Sequence, residues 1–239
     1  MKLRDFLQMM RDLLDDTSFK DHCYLVGGVV RDHLLGKDDF YDFDLAVEQK
    51  FGGLKLGAYL DHRLNPISYE VFPRFGTARM DLGEIKLDFV ETRRERYQPG
   101  KRFPRIRFGT IHDDVLRRDF SINSLYLELF SQKIIDPSGM GLRDLKDGII
   151  RTLRPADKVL SEDYLRILRA IRFAACLDFR LHPEVEQAII RYAPKLKRLS
   201  ATAISREIRK MKDCGAWDAA GSLMQELGFD FALIEPDES

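Results

Sequence analysis

Tyr24-Leu-Val-Gly27-Gly28-Val-Val-Arg31-Asp32-His-Leu-Leu-Gly36, followed by Tyr41-Asp42-Phe43-Asp44-Leu45-Ala-Val47, decides how the chain is read. A short apolar run meets a glycine pair, then a helical stretch with an arginine, then a strand with two aspartates. Gly27 and Gly28 let backbone N–H groups approach an anion closely, because no Cβ stands in the way. A helix starting near Val29 points its positive end at the same spot. Asp42 and Asp44, two apart on a strand, project from one face, while Phe43 and Leu45 point toward a core. A phosphate cradle beside paired carboxylates is what metal-assisted phosphoryl transfer needs. Taken singly, each part has a plainer reading: a turn between strand and helix, and a solvated strand face.

Outward from this stretch, 239 residues suffice for one large or two small domains with a real core. Lys plus Arg number 39 and Asp plus Glu 39, so any basic signal for nucleic acid must be local. Cys23, Cys176 and Cys214 are far apart and form no C-x-x-C pair. The spacing predicts neither a zinc ribbon nor a disulfide framework, which fits a reducing cytoplasm. The histidines form no metal-binding pattern. No secretory h-region or membrane span is present, so a cytoplasmic chain with no membrane partner is expected. Leu3, Phe6, Leu7, Met10 and Leu14 have the spacing of an amphipathic core helix.

Phe51 to Arg63 reads as helix, against the grain of Gly52, Gly53 and Gly57. Ser68–Phe72, Thr77–Leu82 and Lys86–Thr92 read as strands. In the last, Leu87 and Phe89 face one way and Lys86, Asp88 and Val90 the other. Asp88 is then either a solvent-facing aspartate or a third carboxylate beside Asp42 and Asp44. Glu91 to Arg107 is rich in arginine and reads as a loop, either a solvated connection or a mobile loop near phosphates. Leu125–Leu129 and Lys133–Ile135 form a hairpin. The domain boundary falls near Arg151 to Pro155, giving residues 1–152 and a helical 153–239. From Asp157 onward, Tyr164, Ile167, Leu168, Ile171, Ala174 and Ala175 share one helical arc, and Asp163, Arg166, Arg169, Arg172 and Phe173 the opposite one. Pro183–Leu199, Ala201–Asp213 and Ala216–Leu227 complete the helical part. Lysines and arginines from Lys195 to Lys212 are either a solvated face or an RNA contact.

Gly-Gly-x-Val-Arg-Asp, then Leu-Leu-Gly, then Asp-x-Asp resembles the first motif of polymerase-β-like nucleotidyltransferases. The resemblance is to the class II (bacterial-type) tRNA nucleotidyltransferases and poly(A) polymerases. Arg117-Arg118-Asp119-Phe120-Ser121-Ile122-Asn123-Ser124 resembles their second motif, with Ser121 and Ser124 for the usual Thr and Ala. Asp136 to Arg151 resembles the connector between a catalytic head and a helical neck. Glu162-Asp163-Tyr164-Leu165-Arg166, running on to Leu168-Arg169-Ala170-Ile171-Arg172-Phe173-Ala174, resembles the base-reading motif, with Tyr164 replacing Pro.

The resemblance implies an α+β fold: a polymerase-β-like head, a mixed sheet with flanking helices, followed by an all-helical neck. It implies a template-independent enzyme adding nucleotides to an RNA 3′ end, most simply CCA or partial CCA on tRNA. Poly(A) polymerase is the alternative, as is a non-catalytic nucleotide-binding partner subunit. Asp42 and Asp44 would hold two Mg²⁺ ions during catalysis, with Asp88 assisting. Gly27, Gly28, Arg31 and Arg118 would hold triphosphate or sugar, and Asp119 and Asn123 a ribose hydroxyl. Asp163, Arg166, Arg169 and Arg172 would read the base of ATP or CTP. The likeness runs from Tyr24 to Phe173 and more weakly to Leu227. The family normally continues into body and tail domains. A minimal enzyme, a truncated chain, and help from a partner subunit or self-association are the corresponding expectations.

Overall fold

Alternating burial along short strands builds the first half of the chain, seen here in a computed structural model that describes residues 1–96, 105–231 and 234. α1 (Leu3–Leu14) buries Leu3, Phe6, Leu7, Met10 and Leu14, the stripe expected from the spacing. β1 (Cys23–Val26) leads through Gly27 into α2 (Gly28–Leu34), and β2 (Asp42–Val47) follows. α3 (Gly52–Leu64), β3 (Ser68–Phe72), β4 (Thr77–Asp81) and β5 (Lys86–Glu91) come next. With β8 (Tyr126–Glu128) and β9 (Ile134–Ile135) they form a seven-stranded sheet of order β3-β4-β5-β2-β1-β8-β9. Only β2 and β5 run parallel; the other neighbouring pairs are antiparallel.

Residues opposite each other in register share a face. One face carries Phe43, Leu45, Leu87, Phe89, Ala78 and Met80, all buried. Phe6 of α1 stacks on Phe43 there, ring centroids 3.8 Å apart. The glycines of α3 are explained by close approach to the sheet: a Cβ on Gly53 would stand 2.7 Å from the Gly76 carbonyl oxygen and 2.9 Å from that of Phe89. The other face carries Asp42, Asp44 and Asp88.

The segment Glu91–Arg107 departs from the loop expected. β6 (Arg93–Arg96) and β7 (Arg105–Phe108) pair antiparallel in a separate two-stranded ribbon. Thr92 fixes its base, its hydroxyl donating to the Gly109 carbonyl at 2.6 Å. Glycine and proline content suggested a loop, but Gly100, Pro99 and Pro104 lie between the strands, outside the described residues. α4 (Ile111–Asp114) then forms under a capping box between Thr110 and Asp113.

The chain forms two compact units: Met1–Arg118 with Asn123–Gly141, and Asp119–Ile122 with the chain from Leu142 onward. The sequence reading put the division at residue 152. α5 (Gly141–Asp147) and β10 (Ile149–Ile150) join the second unit because β10 pairs in parallel with β11 (Arg180–Leu181). Asp144 accepts from the Ser121 hydroxyl at 2.6 Å and from Arg151 Nε at 3.1 Å, tying the connector to the four-residue excursion. Beyond it lie α6 (Ala156–Glu162), α7 (Leu165–Leu177), α8 (Pro183–Tyr192), α9 (Ala201–Asp213) and α10 (Trp217–Glu226).

Two expectations for the second unit are corrected. Asp163 is not on the α7 arc. Its backbone is extended, it separates α6 from α7, and its carboxylate accepts from the Leu165 N–H at 3.0 Å. An aspartate that can satisfy a free N–H at a helix start competes with continuing the helix. The cysteines are not all free: Cys176 at the end of α7 and Cys214 just past α9 form a disulfide, leaving Cys23 as a buried free thiol. No local motif announces a pair 38 residues apart; packing of α7 on α9 makes it. In the chain-entropy account, a loop of that length gives about 4 kcal/mol. Replacing both cysteines by serine is expected to lower the melting temperature by roughly 8–16 °C. An unchanged melting temperature would show that α7 and α9 need no covalent link.

Candidate active site

Gly27 sits at φ +80, ψ −134, a conformation that only glycine takes without strain. A Cβ there would stand 3.2 Å from Asp44 Oδ2, so the Asp44 carboxylate lies against the turn. Gly28 begins α2, and a Cβ on it would stand 3.6 Å from the Arg31 guanidinium. Arg31 turns inward and is 8% exposed. Its Nε donates to Asp32 at 2.7 Å and its Nη1 to Asn123 Oδ1 at 2.6 Å. Two residues expected to touch nucleotide separately are thus joined in one buried pair.

Asp42 and Asp44 are exposed on the sheet face, as their spacing required. Asp88 stands opposite Asp44 in the parallel register. Arg79, opposite Asp88 on β4, holds it with hydrogen bonds of 2.6 and 2.9 Å. Those bonds are the main reason the Arg79 pKa is raised. Arg79 was not foreseen, because only strand register, which the sequence does not spell out, brings it to Asp88.

Mg²⁺ is the metal implied, and the residues fit it. Two carboxylates on one exposed face, beside a turn of backbone amides, offer hard oxygen donors. Mg²⁺ commonly takes one or two protein carboxylates and completes its shell with phosphate oxygens and water. Among the described residues, no group of three or more His, Cys, Asp or Glu gathers to hold a metal by itself.

Arg118 and Asp114 form the most enclosed polar cluster. Asp114 is fully buried and accepts from Arg117 Nε at 2.8 Å, Arg118 Nη2 at 2.9 Å and the Tyr126 hydroxyl at 2.7 Å. Burial alone would raise the Asp114 pKa, but the two guanidiniums outweigh it and hold it down at about 2. Tyr126 is opposite Val26 and Val26 is opposite Asp44, so the cluster lies on the carboxylate face. The sequence carries a signal for this cluster: Asp114, Arg117 and Arg118 have the i, i+3, i+4 spacing of a helical ion pair.

In the second unit, Asp119 is 8% exposed and accepts from Arg169 Nε at 2.7 Å. Burial alone would raise its pKa; the Arg169 charge outweighs that and lowers it. Arg166 donates to the Val159 carbonyl at 3.1 Å and lies 3.6 Å from Glu162. Arg172 donates to the buried Glu207 at 2.7 Å and stacks over Phe173, 4.1 Å from its centroid. Phe173 is buried despite its place on the charged arc, edge-on to Phe120. Of the four residues expected to read a base, Asp163 alone presents an exposed side chain.

A mixed sheet carrying paired carboxylates against a glycine turn, with a helical second unit, is the architecture of a nucleotidyltransferase head and neck. Comparison with known proteins gives the family. Residues 23–151 match the sequence model described as "Poly A polymerase head domain", and the chain belongs to that family. It is 39% identical over 192 residues to the A-adding tRNA nucleotidyltransferase of Aquifex aeolicus, covering 79% of this chain and 22% of that protein. It is 36% identical over 176 residues to the mitochondrial CCA tRNA nucleotidyltransferase of Saccharomyces cerevisiae, covering 67% and 32%. The fold is similar to that of a tRNA nucleotidyltransferase solved with a primer tRNA and an incoming ATP analogue. The TM-score is 0.75 at 32% identity, covering 96% of this chain and 62% of that one. The chain therefore spans between about a fifth and a third of the length of these curated relatives.

Proposed function

We propose that this protein adds nucleotides to an RNA 3′ end without a template, with tRNA lacking all or part of its CCA as substrate and ATP or CTP as donor. The observation that supports this most is the Asp44 carboxylate lying against the Gly27-Gly28 turn, with Asp42 beside it on the same face. Asp42 and Asp44 would hold the Mg²⁺ ions, which supply charge neutralisation at the transferring phosphoryl group. Gly27 and Gly28 leave room for the triphosphate to approach backbone amides. Arg31 and Arg118 bring positive charge, and Asp119 and Asn123 serve the ribose side of selection. Asp88 assists once Arg79 releases it. The described match to a poly(A) polymerase head makes A-tail addition the second reading.

Incubation with tRNA lacking its CCA, one labelled nucleotide at a time, decides among these. Addition of C or A in a fixed order supports the first reading and an open-ended A tail the second. Nucleotide binding with no incorporation into any RNA overturns both and leaves a non-catalytic module.

Among the described residues, no helix is long and apolar enough to cross a membrane. We assign the protein to the cytoplasm. There the Cys176–Cys214 disulfide, with Cα atoms 5.9 Å apart, would be open to reduction by the thiol pool. Self-association or a partner subunit supplies further RNA-holding surface in this reading.

Base choice belongs in the second unit. Asp163→Ala is expected to reduce discrimination among the four nucleotides by about tenfold or more, since a hydrogen bond to a charged group is worth about 1.5–3 kcal/mol. Arg166→Ala should act the same way, and it also removes the contacts to the Val159 carbonyl and Glu162. Rates that fall equally for ATP, CTP, GTP and UTP would remove the base-reading role.

A further inference from the structure

Three basic–phenylalanine dipeptides, Lys50-Phe51, Arg74-Phe75 and Arg107-Phe108, lie far apart in the sequence. The fold brings all three to one groove of about 530 Å³ on the first unit. They come from the turn before α3, the short turn Pro73–Phe75 between β3 and β4, and the end of β7. Arg93 and Glu91 complete the lining. Phe51, Phe75 and Phe108 are 52%, 37% and 44% exposed. Single exposed apolar residues need no explanation, but three phenylalanines around one concavity do.

The groove is built rather than incidental. Phe51 holds φ +61, a left-handed backbone that a bulky side chain rarely adopts. Its N–H donates to the Glu91 carboxylate, which fixes the turn and so the place of the ring. Arg93 donates to the Phe75 carbonyl at 2.8 Å and fixes the second turn. Lys50 lies 5.4 Å from the Phe51 ring centroid and Arg74 5.7 Å from that of Phe75, so charge and ring are presented together. Among the described lining residues Lys50, Arg74, Arg93 and Arg107 are the cations and Glu91 the carboxylate, while Arg93 is itself paired with Glu95 at 2.7 Å.

The groove is also separate from the carboxylate site. Glu91 is three residues beyond Asp88 on β5, about 10 Å along the strand, and its side chain points to the opposite face.

Exposed aromatic residues, two of them with a cation within 6 Å of the ring centroid, suit alternating bases and phosphates. We propose that this groove binds a short stretch of single-stranded RNA, with bases stacked on Phe51, Phe75 and Phe108 and phosphates paired with Lys50, Arg74 and Arg107. The site does not depend on the catalytic reading, because nothing in it reacts. Stacking is tolerant of sequence, so it would grip any unpaired strand passing this end of the sheet.

The test uses the full chain with no nucleotide and no divalent metal. Fluorescence anisotropy would measure affinity for a labelled 12-nucleotide oligouridylate and for a fully paired RNA duplex. Phe75→Ala and Phe108→Ala should each weaken oligouridylate binding by about fivefold or more, as loss of a base stack does, and leave duplex binding unchanged. Arg74→Glu and Arg107→Glu, both at exposed positions, should weaken binding and flatten its salt dependence, with melting curves on the same preparations showing that each variant is folded. RNA carrying 4-thiouridine should crosslink to peptides containing Phe51, Phe75 or Phe108. Wild-type affinity in all four variants overturns the proposal. So does an equal loss for duplex and single strand, or crosslinking only to other peptides. Displacement of the RNA by millimolar ATP alone would show a pocket for free nucleotide and would also overturn it.

Discussion

Asp44→Ala is expected to lower nucleotide incorporation into RNA about a thousandfold, and Asp42→Ala to a similar degree, with the fold intact. Charge stabilisation at the reacting phosphate is the largest single contribution in this kind of chemistry. Loss of even one preorganised donor typically costs a hundred- to a thousandfold. A metal ligand carries more, since it positions the ion as well as neutralising it. Both side chains are exposed on the strand, so their removal should move stability far less than it moves the rate. Single-turnover incorporation of labelled nucleotide, with melting curves on the same preparations, measures both halves. Wild-type rates in either variant would remove that residue from the metal site; a collapsed melting curve would show that the face is structural.

The largest stability effect should come from Asp114. It is fully buried between Arg117, Arg118 and Tyr126 and also accepts from the Arg93 backbone N–H at 3.1 Å. Asp114→Ala strands two enclosed guanidiniums and should cost about 3–5 kcal/mol. The effect has a pH signature. The folded-state pKa of about 2 lies below the ordinary carboxylate value near 3.9. The stabilisation, roughly 2.5 kcal/mol, is therefore fully present above about pH 4 and is lost as pH falls through about 2. Denaturant titrations of wild type and Asp114→Asn from pH 6 to pH 2 should converge toward the acid end. A gap that stays constant over that range would mean Asp114 is not ionised in the fold.

What could be read from the sequence was what local periodicity and short motifs encode. The stripe of α1, the alternation in β5 and the placement of Asp42 and Asp44 on one face all followed from side-chain spacing. The parallel register then brought Asp88 beside Asp44, as alternation allowed. Partners set by register or helix packing were not legible. Arg79 reaches Asp88 only because β4 lies beside β5, and Glu207 reaches Arg172 only because α9 packs on α7. The basic segment after Glu91 misled for another reason. Arg105 and Arg107 alternate with Ile106 and Phe108 in β7, but β6 reads Arg-Arg-Glu-Arg, with no apolar alternation to mark it as a strand.

The excursion of residues 119–122 has a consequence for anyone who would take the gene apart. The first unit resumes at Asn123 and the second at Leu142, so no single cut in the DNA yields both units whole. A fragment starting at Leu142 would lack Asp119, the counterion of Arg169, and Phe120, the neighbour of Phe173. A fragment ending at Gly141 would carry those four residues with nothing of their own unit to fold against. Any shuffling of necks among heads must exchange a four-codon insert along with the downstream sequence.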